Sequence, residues 1–209
     1  NGFRVIEMAG IGPAPFACML LADLGAEVIR VDRAVPGGGV VNAGTVMNRG
    51  KKSIAVNLKS AEGIEVVLKL VESADAIVEG FRPGVMERLG LGPDVCEARN
   101  PKMVFARMTG WGQTGPLSHA AGHDINYISI TGALDAIGRK DSGPVPPLNL
   151  LGDFGGGSMY LVMGILSGML EAQKSGKGQV VDVAITDGVI SLMAMMQEFK
   201  GMGAWETGE

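Results

Sequence analysis

Apolar and polar positions alternate over Phe3 to Met8, shift to a three-to-four-residue period over Phe16 to Leu24, and alternate again over Ala26 to Asp32. That succession predicts a βαβ unit, its helix opened by Gly10-Ile11-Gly12-Pro13-Ala14-Pro15 and stopped at Gly25. Pro13 and Pro15 fit the start of the helix, because the N–H that proline lacks would be unpaired in a first turn anyway. Ala34 to Lys52 is rich in Gly, Asn and Val without a clear period and reads as a long excursion. Further strands are predicted over Ser53 to Leu58, Ala76 to Glu79 and Met103 to Met108. Between them fall a helix capped by Ser60 and running to about Ser73, and a short helix over Gly84 to Leu89. Strand and helix alternating in this way predict an α/β fold, Rossmann-like, with a mostly parallel sheet and helices on both faces. Beyond Thr109, glycine-rich loops precede a helix over Ser158 to Ser175, a strand over Gln179 to Ala184, and a long helix from Thr186 to about Met202.

At 209 residues, 46% of them hydrophobic and 19% charged, the chain is suited to one well-packed core. A net charge of -4 argues against a nucleic-acid-binding surface, which needs a basic excess. Cys18 and Cys96 lack CxxC spacing and read as buried free thiols in a reducing compartment. No run of eighteen apolar residues occurs: Gly164, Ser167 and Gly168 interrupt the apolar stretch from Ser158 to Leu170, so no membrane span is expected. Asn1 opens the chain without an initiator Met and residues 201–209 follow a helix with no closing element, so the ends read as cut and targeting signals as unreadable.

Three clusters could carry chemistry. Gly10 and Gly12 follow a strand, and Asp32 ends the next, as in a dinucleotide site; however, Pro15 replaces the third glycine and Pro13 removes an amide that would face a pyrophosphate. A tight turn of a doubly wound sheet is the better reading. Val56-Asn57-Leu58-Lys59 and Gly80-Phe81-Arg82 fall at predicted carboxyl ends of strands, where open α/β sheets place ligands. With Arg33 and Arg88, the side chains of Lys59 and Arg82 would form a positive rim for phosphates. Singly, each is an ordinary solvated charge. His119 and His123 have HxxxH spacing, but Gly122 and Pro116 spoil the helix and no third ligand follows, so no metal site is expected.

The third cluster is a pair of polar interruptions about thirty residues apart: Gly122-His123-Asp124-Ile125-Asn126-Tyr127 and Gly152-Asp153-Phe154-Gly155-Gly156-Gly157. Alone, His123 reads as a hydrogen-bonded loop histidine and Asp153 as an N-cap of the following helix. Together, an imidazole and a carboxylate can take a proton from one face of a carbon and return it at the other. A helix N-terminus behind Asp153 would also stabilise an enolate oxygen, with Asn126 and Tyr127 as nearby donors.

These segments, with Met108-Thr109-Gly110-Trp111-Gly112-Gln113-Thr114-Gly115-Pro116 and Phe81-Arg82-Pro83-Gly84-Val85, resemble the α-methylacyl-CoA racemases of the family III CoA-transferase (CaiB/BaiF) superfamily. The resemblance covers essentially the whole chain. It implies a Rossmann-like large domain (1–185), with 186–209 a long helix leading toward a small domain, and an interlocked homodimer. It further implies an isomerase acting on 2-methylacyl-CoA thioesters through an enolate-like species, with His123 and Asp153 as opposed acid/bases. CoA, carried as part of the substrate with no separate cofactor, would be held by Arg33, Val56, Asn57, Leu58, Lys59, Gly80, Phe81, Arg82, Arg88, Gly122, Asp124, Ile125, Asn126 and Tyr127. The alternatives are a CoA-transferase with Asp153 as nucleophile and a CoA-binding fragment without activity. Family members are longer; a glutamate that pairs with the catalytic histidine is expected outside these residues. The implied location is cytoplasmic in a bacterium and peroxisomal or mitochondrial in a eukaryote.

Overall fold

The computed structural model describes residues 2–34, 46–139 and 141–206; part of the expected excursion, 35–45, lies outside them. In chain order the first half runs β1 (Arg4–Met8), α1 (Pro13–Asp23), β2 (Glu27–Arg33), β3 (Lys51–Val56), α2 (Ala61–Val71), β4 (Ala76–Glu79), α3 (Val85–Arg88), α4 (Pro93–Arg99) and β5 (Val104–Thr109). Next come α5 (Asp124–Ile130), α6 (Ala133–Ala136) and a hairpin of two-residue strands, β6 (Gly138–Arg139) and β7 (Gly143–Pro144). A π-helical segment, Leu150–Met159, then leads into α7 (Tyr160–Ser175), followed by β8 (Val180–Ala184), α8 (Ile185–Leu192) and α9 (Ala194–Gly201). Six strands form one parallel sheet in the order β3-β2-β1-β4-β5-β8.

The two-residue period of the strands sorts side chains to the two faces. Val5, Ala76, Val78, Val104 and Ala106 pack on one side with α1, α7 and α8, through Ala17, Leu21, Leu161, Ile165 and Val189. Ile6, Met8, Ile77 and Phe105 pack on the other with α2 and α4, through Val67, Leu68, Val71 and Cys96. Both faces of the sheet are therefore covered, as an all-parallel sheet requires. Cys18 and Cys96 are both buried free thiols. The π segment and α7 form a 26-residue helical run long and apolar enough, by composition, to cross a bilayer. Here Leu161, Ile165, Met169 and Ala172 are buried against the protein's own core.

Three of the expected elements take a different form, and α4, α5, α6 and the β6–β7 hairpin were not expected. β3 begins at Lys51, ahead of Ser53, because an edge strand tolerates lysine: the Lys51 Nζ reaches inward to Glu7 Oε2 at 2.5 Å and to the Pro15 carbonyl. The single helix expected from Thr186 to Met202 is broken at Met193 into α8 and α9, with Val189 and Met193 in the sheet core. Asp153 does not precede a helix; it lies inside one. The cluster Gly152, Gly155, Gly156 and Gly157 permits the wider π turns and brings α8 into backbone contact.

Candidate active site

The strand order reverses between β1 and β4, which splays the loops leaving those two strands and opens a crevice at the carboxyl edge of the sheet. A cleft of about 330 Å³ occupies it, walled by Ile11–Ala14 after β1, Gly80–Pro83 after β4 and Met108–Trp111 after β5. Ser118, Ala120, Ala121, Gly122, His123, Tyr127, Asp153 and Ile185 complete the lining.

His123 is the N-cap of α5, with extended backbone (φ −131°, ψ 173°), and its N–H donates to Asn126 Oδ1 at 2.9 Å. The loop ahead of it is held from beneath by Tyr127. The phenol donates to the Gly122 carbonyl at 2.6 Å, and its ring meets Trp111 edge-on at 4.7 Å. A Cβ on Gly110 would lie 2.1 Å from the Tyr127 ring, so this approach needs glycine. Burial, followed by the charges of Asp153 and Asp124, pushes the Tyr127 phenol up to about 12, which keeps it a donor at neutral pH.

Asp153 enters the cleft from the first turn of the π segment. That segment is fastened to the start of α1 by Ser158, whose hydroxyl lies 2.8 Å from the Pro13 carbonyl, and by Phe154 stacked on Phe16 at 4.2 Å. Gly12 (φ +77°) faces the carboxylate; a Cβ there would sit 3.7 Å from Asp153 Oδ2. Burial raises the Asp153 carboxyl above its ordinary value, and the Asp124 charge adds to that. A hydrogen bond with Asn149 and the charge of His123 act in the opposite direction. His123 and Asp153 thus line the same cleft. Because the folded-state value is raised, the stability tied to Asp153 is full below the unfolded value of 3.8 and is lost as pH rises through the folded one. Asp153→Asn is accordingly expected to melt above wild type at pH 7, by an amount that shrinks toward zero as pH falls below 4. Thermal melts across that range check this.

Of the residues singled out in the sequence, His123, Asp153, Gly80, Phe81, Arg82, Gly122 and Tyr127 meet in the cleft. Arg33 and Val56 are register partners at the ends of β2 and β3, and Asn57, Leu58 and Lys59 follow them, outside the cleft lining. Arg88 closes α3, also outside it. Arg33, Lys59, Arg82 and Arg88 are exposed, and their side chains form no hydrogen bond or ion pair with the described residues. Ile125 and Asn126 are exposed on α5, and Asp124 is buried. The expectation that amides behind Asp153 serve a substrate oxygen changes here: the Asp153 N–H donates to the Asp124 carboxylate at 2.6 Å. Behind the β4 loop, Glu79 accepts the Phe81 N–H at 2.7 Å and Arg107 Nε at 2.9 Å, while Arg107 also reaches Glu87. Buried Glu79 and Arg107, with Glu87 at the surface, brace Gly80–Arg82. Among the described residues no group of three His, Cys, Asp or Glu side chains could hold a metal.

Sequence reasoning did not single out Trp111, Ser118 or Ile185 as site residues. Gly12 was legible as a turn, but nothing local indicated that the turn faces Asp153.

Residues 1–204 match the family model described as CoA-transferase family III. An alpha-methylacyl-CoA racemase of Mus musculus is 44% identical over 206 residues, 99% of this chain and 53% of that protein. A succinyl-CoA:glutarate CoA-transferase of Mus musculus is 34% identical over 209 residues, 94% of this chain and 47% of that protein. A CaiB/BaiF family protein from Brucella suis superposes with a TM-score of 0.87 at 29% identity, covering 99% of this chain and 58% of that one. The chain spans about half the length of the curated relatives it matches.

Proposed function

The chain belongs to CoA-transferase family III, and from that premise we propose that it supplies the acid/base pair of an isomerase that epimerises 2-methylacyl-CoA thioesters. The observation that carries this reading is the meeting of His123 and Asp153 in one cleft at the point where the strand order reverses.

The chemistry follows from the two groups. One takes the α-proton, and the C–H electron pair moves into the thioester carbonyl to give an enolate. The other, carrying a proton, returns it to the opposite face as the carbonyl re-forms. Each group is base in one direction and acid in the other, so each must populate both protonation states at working pH. Burial moves Asp153 toward that condition. The lining of Ile11, Pro13, Ala14, Met108 and Ile185 is apolar around the reacting carbon, which suits a methyl-branched acyl group and strengthens electrostatics at the developing oxyanion.

The CoA phosphates lie along the exposed rim of Arg33, Lys59, Arg82 and Arg88, all at or beyond strand ends. Arg82, the member that lines the cleft, is the one whose loss is felt most. Arg82→Ala is expected to raise KM for the CoA thioester about tenfold, the equivalent of about 1.4 kcal/mol, with kcat little changed. Steady-state kinetics check this, and the effect should weaken as salt rises. We place the substrate's CoA, and a second copy of the chain, as the partners of the complete protein.

A CoA-transferase reading uses the same cleft with Asp153 attacking the thioester. The presence of His123 opposite Asp153 favours proton transfer, because nucleophilic attack by a carboxylate needs no second base. The higher identity to the mouse racemase than to the mouse transferase points the same way. Incubation with 2-methylacyl-CoA and hydroxylamine separates the two. Epimerisation without a trapped Asp153 acyl group is expected. A trapped acyl group, with CoA passed to a second acid, would make the protein a transferase.

A further inference from the structure

Asp124 stands next to His123 in sequence and next to Asp153 in space. Only 5% exposed, it is the first residue of α5, the helix that His123 caps. Its Oδ2 accepts the backbone N–H of Asp153 at 2.6 Å, across 29 residues of chain. Gly152 lies so close that a Cβ there would come within 2.5 Å of the same oxygen. The other oxygen, Oδ1, is buried and has no hydrogen-bond partner. A buried, half-satisfied carboxylate costs stability, and a carboxylate that only capped a helix would gain more in a solvated position.

From this contact we infer that Asp124 is a positioning residue for the proposed proton transfer: its side chain is a strut that fixes Asp153 relative to His123 across the cleft. The inference rests on the reading of His123 and Asp153 as the acid/base pair. The strut has a short lever. On the His123 side it is one peptide unit long, and on the Asp153 side it grips the main chain of the residue whose carboxylate reacts. Helix α5 is itself fixed by Tyr127 and Ile128, both buried, so movement at Asp124 is resisted at its base. Separation between two reacting groups matters steeply, and misplacement by about 1 Å can cost on the order of 10²-fold in rate.

Two variants separate a strut from mere filling. Asparagine keeps an oxygen able to accept the Asp153 N–H, and alanine does not. Backbone amide exchange followed by NMR in the complete protein reads the contact directly, with or without turnover. The Asp153 amide is expected to be protected in wild type and in Asp124→Asn, and to exchange at least tenfold faster in Asp124→Ala. Kinetics then read its consequence. Asp124→Ala should lose epimerisation about tenfold to 10²-fold while keeping more of its solvent-deuterium exchange with retention, since His123 can still work its own face. KM should barely move, and Asp124→Asn should recover most of the loss. A wild-type Asp153 amide that exchanges freely would overturn the strut, a readout that does not require the alanine variant to fold. Asparagine and alanine variants that behave alike, or exchange and epimerisation falling by the same factor, would overturn it too. Should wild type transfer CoA and never epimerise, the functional reading fails, and amide exchange still judges the strut.

Discussion

His123→Ala and Asp153→Ala are each expected to lower the rate of epimerisation by about 10² to 10⁴-fold, the range typical for removal of a positioned general acid or base. The reason is geometric. Inversion requires a proton to leave one face and arrive at the other, and two elements bring a titratable group each to the cleft, His123 at the N-cap of α5 and Asp153 on the π segment, which we propose serve one face each. Neither can substitute for the other without crossing the substrate. The single variants should therefore differ from a general loss of fold in one respect. Each keeps the group on its intact face, so each should still exchange the α-proton of one epimer with solvent, with retention, while interconversion is lost. Mass spectrometry of the two epimers after incubation in deuterium oxide separates these outcomes. The double variant should lose both.

Gly188→Ala is expected to destabilise the protein by about 3 kcal/mol or more, at or beyond the upper end of ordinary overpacking. A Cβ on Gly188 would stand 1.9 Å from the Gly156 carbonyl oxygen and 2.7 Å from its carbon. Both are backbone atoms, so no side chain can rotate away. The only relief is separation of α8 from the π segment, the packing that carries Asp153 toward the cleft and Ile185 and Val189 into the core. Activity should fall with stability, since Asp153 moves with its segment. Gly201→Ala is the contrast: nothing lies within 4 Å of a Cβ there, near the end of α9, so a change of less than about 1 kcal/mol is expected. Chemical denaturation of the two variants beside wild type checks both statements.

The sheet was readable because each of its strands carries a strong local signal. Val5 and Ile6, or Ala76, Ile77 and Val78, face two cores in turn, so strands covered on both sides stand out as short apolar runs in a one-dimensional string. The start of α1 was readable for the same reason, since Pro13 and Pro15 declare it locally. What sequence did not disclose is long-range. β3 starts at Lys51 only because Glu7, on another strand, accepts its ammonium inside the fold. The π segment escaped because Gly152 and Gly155–Gly157 look like a loop until α8 is laid against them. Helix α4 is seven residues long, too short for a period to stand out.

For the site, the two polar interruptions were legible, and the motifs around them carried the family resemblance. Their convergence was not legible, because it depends on Ser158 reaching Pro13 across 145 residues and on Asp124 reaching Asp153. Asp124 was expected among the CoA-binding residues, and the fold places its carboxylate inside, against the Asp153 amide. No periodicity distinguishes an aspartate that faces a ligand from one that faces a backbone N–H.

The central claim is proton transfer at the α-carbon by His123 and Asp153. Its most direct test is the fate of the α-hydrogen when the complete protein acts on a single epimer of a 2-methylacyl-CoA in deuterium oxide. Deuterium is expected to enter at the α-carbon, both epimers to appear, and no acyl group to pass to an added acid. Transfer of CoA to that acid, with the α-hydrogen retained and the configuration unchanged, would contradict the claim.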